Sequence, residues 1–276
     1  MQVFLLNFLY FWIYSFLGWV VESTICSVNE HKIINRGFLS GPICPIYGFG
    51  AMIVILSLTP FLAHPIFLFI DAVVLTSILE YFTSYAMEKL FHARWWDYSK
   101  HHFNLNGRIC LKSSLFFGVL SLAVMYLLHP GVVHMVGLLP QTARILISIV
   151  VLLLFAVDLF TTVRGVVNFN RQLERLTELS AQIKAKLDSL PGLSDLPFKE
   201  RLERFFQEKR EELQESGSGV RESVNSMMER FRSLSTQHGF IQRRLKRAFP
   251  HMTLHKNTES VRSLKEWLEN KRKHED

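Results

Sequence analysis

The feature that most constrains this chain is a series of apolar runs long enough to cross a bilayer, which takes ~20 consecutive residues in helical form. Five runs qualify: about 4–26, 43–62, 65–90, 113–129 and 142–163. Backbone in hydrocarbon must satisfy its own hydrogen bonds, so each run is expected to be a helix. The first holds only Glu22 as a charge and the second holds none. The third carries Asp71, Glu80, Glu88 and Lys89, and the fifth has Arg144 near one end and Asp158 near the other. The expected fold class is all-α: a polytopic membrane protein with about five transmembrane helices, followed by a helical, partly coiled-coil cytoplasmic tail.

Charge supports that division. Residues 1–170 hold 9 of the 31 Lys/Arg and 7 of the 24 Asp/Glu, so the rest of the chain is far more polar. The expected domains are a transmembrane unit over 1–165 and a charged tail over 166–276. Lys32 and Arg36 fall between the first two runs; Arg94, Lys100, Arg108 and Lys112 lie between the third and fourth; Arg164 and Arg171 follow the fifth. The other two connections hold no Lys or Arg. Basic residues collect on the cytoplasmic side, so five spans predict an outside N-terminus with both basic loops and the tail inside. The net charge of +7 then needs no nucleic-acid partner. No positive segment precedes the first run and its apolar stretch is long for a signal peptide, so a retained helix is expected. The three cysteines, Cys26, Cys44 and Cys110, fall at the predicted cytoplasmic ends, where they stay thiols and show no metal spacing.

In the tail, Leu173, Leu176, Ser180, Ile183, Leu187 and Leu190 follow a heptad seam that Pro191-Gly192 ends. Further helices are expected over about 197–214, around Val220, Val224, Met227, Phe231 and Leu234, and over 258–272, with a flexible break at 215–219. The basic stretch 243–249 precedes Pro250. Two readings of it stand side by side: a solvated face of a self-associating tail, or, with Phe240, Ile241, Leu245 and Phe249, a surface for anionic lipid.

An ionisable group inside a span is costly, and is a functional candidate for that reason. At 100° per residue, Ser77, Glu80, Tyr81, Ser84 and Glu88 share one face of the third span. Ser15, Gly18, Trp19, Glu22 and Cys26 do so on the first, and Asp158, Thr161, Thr162 and Gly165 on the fifth. Glu22, Glu80, Ser84, Glu88 and Asp158 are therefore the candidates for a substrate or ion path. The bland alternative is that these carboxylates pair with Arg36, Arg94 and Arg108 to fix helix register. Glu80 is the hardest to dismiss, being too deep to reach the interface.

The two basic loops supply the other candidates. The first, NRGFLSGPICPIYGFG over 35–50, holds four glycines and two prolines, which prevent a regular helix at the start of the second span. Irregular backbone at that depth must be covered by protein or line a cavity, and its N–H groups offer an anion site. Asn35, Arg36, Gly41 and Tyr47 are the candidates here. In the second loop they are Arg94, Trp95, Trp96, Asp97, Tyr98, Asn104, Asn106 and Arg108. The tryptophans and Tyr98 suit a membrane interface. His101 and His102 are adjacent and share no helical face, so no metal site is expected. No catalytic motif is legible, and Asp97 beside Ser99 and the histidines does not define a triad.

Glu22, NRGFLSGPICPIYGFG, LEYFTSYAMEKLF at 79–91, RWWDYS at 94–99 and FNLNGRICL at 103–111 occur in an order that resembles the bacterial ABC-transporter type IV membrane proteins, over residues 1 to about 165. The resemblance implies a permease subunit moving a solute. The tail lies outside it. No P-loop or nucleotide fingerprint is present, so no cofactor is expected on this chain, and ATP would be bound by a separate ATPase subunit. A coupling segment resembling EAA…G is absent, which leaves loop 91–112 as the docking candidate. Five spans are few for a pore, so a homo-oligomer is expected within the lipid bilayer. Two further readings stay open. One is a membrane enzyme acting on a lipid or amphiphile, with Arg36, Arg94 and Arg108 as anion forks and Asp97 or Glu88 as acid/base. The other is a scaffold acting through its tail.

Overall fold

The computed structural model describes residues 2–189, 196–207, 218–236, 240–249, 253–254 and 259–275. Two compact units separate: residues 1–166 with 241–253, and residues 167–240 with 254–276.

The first unit is built on α1 (Gln2–Asn29), α2 (Pro45–Leu58), α3 (Pro65–Phe91), α4 (Leu111–Gly137) and the first part of α5 (Gln141–Asp188). Four of these, α1, α3, α4 and α5, are long and apolar enough to cross a membrane. The second expected span is shorter. Pro60 has no N–H to continue the ladder, so α2 stops at Leu58 and a 3₁₀ turn, Thr59–Phe61, completes it. Together they reach about 27 Å at helical rises, just under the hydrocarbon thickness. Outward residues such as Ile66, Ile70, Val74 and Ile78 on α3 and Leu153, Val157 and Phe160 on α5 are exposed apolar groups, the reverse of a water-soluble surface.

α4 runs past the expected end at 129 and carries a π turn, Val124–Leu128. Pro130 explains both facts. Its ring crowds the carbonyl one turn back and offers it no donor, and a wider turn relieves the clash without ending the helix. α5 likewise continues beyond 163, because nothing between Arg164 and Leu187 breaks a helix except Gly165.

Inside the unit α1 packs on α2, α2 on α3, and α3 on α4. Leu9, Tyr14, Val54, Leu58, Leu68 and Met125 form the main core. The α1–α2 crossing is close. A Cβ on Gly48 would fall 2.1 Å from Ser15 Oγ, and one on Gly18 would fall 2.2 Å from Tyr47 Cβ. Small residues let the backbones approach in the absence of a hydrophobic drive between helices in lipid.

The second unit gathers the end of α5, α6 (Phe198–Gln207), α7 (Ser218–Thr236) and α9 (Glu259–Glu275); α8 (Phe240–Ala248) lies almost entirely within the first unit. Leu173, Leu176, Ser180, Ile183 and Leu187 of the seam are all buried. From Leu176 on, the apolar seam residues pack on Leu202, Phe205, Val224, Phe231, Leu264 and Trp267 of the same chain. On α7 the buried positions are Val224, Met228 and Phe231. Arg201 pairs with Asp188 at the α5–α6 corner. Leu190, the Pro191-Gly192 break and most of 208–217 lie outside the described residues.

Candidate functional site

The first loop is a covered structure. It lies along α1, where Ser27 Oγ accepts from Ile34 N–H and Ser23 Oγ from Arg36 N–H, while Ser15 O takes Cys44 N–H. Leu39 and Ile43 are buried. Asn35 organises the turn: its Oδ1 accepts from Trp19 Nε1 at 2.8 Å and from Gly37 N–H, and its Nδ2 donates to Ser40 O. The backbone N–H groups expected to hold an anion already hold one. Asp158 accepts from Ser40 N–H at 2.9 Å and Gly41 N–H at 2.7 Å, and also from the Thr162 hydroxyl. A carboxylate from α5 thus occupies the nest.

The carbonyls on the same turn point to α8. Arg244 donates to Gly37 O and Leu39 O, both at 2.8 Å, and to Phe38 O at 2.5 Å. Arg36 returns a bond to Ala248 O and lies 4.9 Å above the Phe249 ring. Leu245 is buried with Phe91, Trp95 and Val166, and Phe249 meets Trp95 edge-on. The stretch 243–249 therefore places Arg244, Leu245 and Phe249 on protein, leaving Arg243 and Arg247 exposed. The side chains of Phe240 and Ile241, also named for lipid, lie outside the described residues. Burial lowers the Arg244 pKa from its usual value, and Asp158 across the turn opposes that shift.

The remaining carboxylates differ in what they meet. Glu22 takes Arg36 at 3.3 Å and the Tyr47 hydroxyl at 2.6 Å. Glu88 takes Arg94 at 3.1 Å and Arg108 at 2.7 Å, and the Arg108 guanidinium also covers the Tyr81 and Tyr85 rings. Glu80 is 5% exposed and accepts from two neutral hydroxyls, Tyr98 and Ser113, both at 3.2 Å. Ser84, one turn along α3, is buried too. So the face expected on the third span exists, but its two glutamates live in opposite environments.

The second loop positions Tyr98 for this contact. Asn106 and Gly107 both have positive φ, 53° and 68°, and Arg108 N–H bonds Leu105 O, which makes a tight turn between β1 (Asn104–Leu105) and β2 (Ile109–Cys110). Asn-Gly is the pair such turns favour. A Cβ at Gly107 would also strike Ser99 Oγ and Asp97 Oδ1. Tyr98 N–H donates to Gly107 O, and Trp96 Nε1 to Arg108 O. Asn106 Nδ2 reaches the Tyr81 hydroxyl, and Asn104 Nδ2 the carbonyl of His101. Asp97 is exposed and accepts from the hydroxyl and N–H of Ser99, which lower its pKa. Burial first, then Glu80, pushes the Tyr98 phenol upward, so it remains a donor. Trp95 is buried. Sequence reading missed Arg244 as a site residue and Ser113 as a partner of Glu80. The Asn106-Gly107 pair was the available signal for the loop's geometry.

Glu80 and Tyr47 border a cavity of about 100 Å³ among α1, α2, α3 and α4. Its wall includes Leu17, Val21, Ile46, Val54, Leu79 and Phe117, and Glu80 supplies the sole carboxylate on that wall. Neither Lys nor Arg lines it. Among the described residues no cluster of three or more His, Cys, Asp or Glu comes together as a metal site.

Neither the curated proteins nor the solved structures contain a significant match to the chain. Residues 9–163, over half of the sequence, match the family described as "Putative ABC-transporter type IV", and the chain belongs to that family.

Proposed function

We propose that this chain is the membrane-embedded permease subunit of an ABC-type transporter, with the cavity among α1–α4 as its solute site and Glu80 as the group that meets the solute. One observation carries the reading: Glu80 is a buried carboxylate on a cavity wall, held by neutral donors, while Glu22 and Glu88 are bound by arginines and Asp158 by loop N–H groups. The last three hold the bundle end together, and Glu80 stays available. The distribution of basic residues supports an outside N-terminus and a cytoplasmic tail. An ATPase on a separate chain docks on loop 92–110, and a second copy of this chain completes the path.

The enzyme reading loses support from the same pairings. Arg36, Arg94 and Arg108 already hold carboxylates, and an anion fork must be open to grip a phosphate. Glu88 is likewise held, between Arg94 and Arg108. Purification from native membranes in mild detergent, by a tag after Asp276, tests the proposal. A stoichiometric ATPase in the preparation is the expected result. A preparation without one, retaining a lipid or metabolite instead, overturns it in favour of chemistry on an amphiphile.

A further inference from the structure

Among the candidate carboxylates of the first unit, Glu80 stands apart. Glu22 and Glu88 each touch at least one guanidinium, and Asp158 accepts three hydrogen bonds with Arg244 on the far side of the same turn. Glu80 is buried as deeply as any of the acids and pairs with no Lys or Arg among the described residues. A carboxylate taken from water without a counter-ion is costly, and whatever brings a positive charge beside it recovers part of that cost.

The wall chemistry says which positive charge fits. A bare metal or alkali ion needs several oxygen ligands to replace its water, six or more in the case of calcium. The cavity's four hydroxyls, one on each of the four helices, do not converge on Glu80: Tyr47 bonds Glu22, Tyr14 bonds His129, Thr76 bonds Ala72 O and Ser121 bonds Phe117 O. The rest of the wall is aliphatic or aromatic. An organic cation asks for less. Its weakly hydrated charge needs one counter-ion, its apolar body gains from the aliphatic wall, and the rings of Tyr47 and Phe117, 5.8 Å apart and edge to face, offer π surface to an ammonium. An anion or zwitterion would meet no Lys or Arg on this wall.

We propose that the α1–α4 cavity binds a lipophilic organic monocation, an alkyl- or arylammonium, with Glu80 as its counter-ion. This deepens the permease reading and rests on it for the use of the cavity as a solute site. The probe is radiolabelled benzyltrimethylammonium, measured by equilibrium dialysis against the purified full chain in nonionic detergent. Binding is expected to be displaced by the unlabelled cation and not by neopentylbenzene, its neutral carbon isostere. Glu80→Gln is expected to weaken binding tenfold or more, while Asp71→Asn, on the same helix but outside the cavity, leaves it unchanged. A second measurement needs no variant. Dicyclohexylcarbodiimide, an apolar carboxyl reagent, should label Glu80 in the wild type, and the cation should suppress that labelling in peptide mass spectrometry. Equal binding by Glu80→Gln, displacement by neopentylbenzene, or labelling indifferent to the cation would each overturn the proposal. If the cation protects Glu80 while no ATPase copurifies, the site stands and the transporter reading falls. An ATPase present with no protection removes the ligand class alone.

Discussion

Arg244 offers the sharpest test of how the chain beyond α5 engages the first unit. Its guanidinium donates to three successive carbonyls, of Gly37, Phe38 and Leu39, and Gly37 and Leu39 are buried. Truncation to alanine leaves those carbonyls facing the space the side chain filled. A hydrogen bond with one charged partner contributes roughly 1.5–3 kcal/mol, but three from one half-buried group do not add fully, because water refills part of the gap. A loss of about 2–4 kcal/mol is reasonable for the set, which raises local opening roughly 30- to 700-fold. Native-state hydrogen exchange reads this directly, through peptides covering 35–43 and 243–249. Both should lose protection together in Arg244→Ala. Arg244→Lys should fall between, since an ammonium is a single point that cannot span three acceptors. Arg243→Ala, on the exposed side of α8, serves as the control. If Arg243→Ala and Arg244→Ala change protection equally, or if only 243–249 responds, the clamp on the first loop is wrong.

Two other outcomes follow from geometry. Gly48→Ala should destabilise the α1–α2 crossing by roughly 1–3 kcal/mol in detergent unfolding, through contact with Ser15 and Phe11, whereas Gly131→Ala, with open space around it, should be neutral or better. Asp97 has a folded pKa below the ordinary value of about 3.9, so its contribution to the second loop is complete above that value and disappears as pH falls through the lower one. Exchange at the Ser99 amide should therefore accelerate in that acid range, beyond the intrinsic rate, and Asp97→Asn should remove the step; a wild-type profile matching the variant's would contradict it.

The four long helices of the first unit were legible because each is an apolar run long enough to span hydrocarbon with its own backbone hydrogen bonds made. Their ends were less so. Pro130 reads locally as a stop, yet a widened turn absorbs it and α4 reaches Gly137. The carboxylates were legible as candidates, but their partners were not. Asp158 and the Ser40-Gly41 amides are more than a hundred residues apart, and Arg244 and Gly37 more than two hundred. Periodicity reports which face a residue occupies and carries nothing about what lies opposite. The same limit applied to the tail, where the buried seam from Leu176 to Leu187 reads equally as a contact with another chain or with α6, α7 and α9.

The π turn in α4 sets the handling of that helix apart from its neighbours. It holds one residue more than an α turn, so everything after it is phased by that surplus. Leu128 reaches the cavity wall, and His129 reaches the Tyr14 hydroxyl at 2.7 Å, on this phasing. Removing one residue from 124–128 would let the ladder close as ordinary α-helix and leave 129–137 on its present face, because the wide turn already absorbs one residue's rotation of about 100°. The same deletion in the regular turns of α4 before Val124 would act as a twist: everything after it would turn by about 100°, and Val132 and Val136, now in the core, would swing out of it. This turn is the one place in α4 where a residue can be lost without turning the rest of the helix.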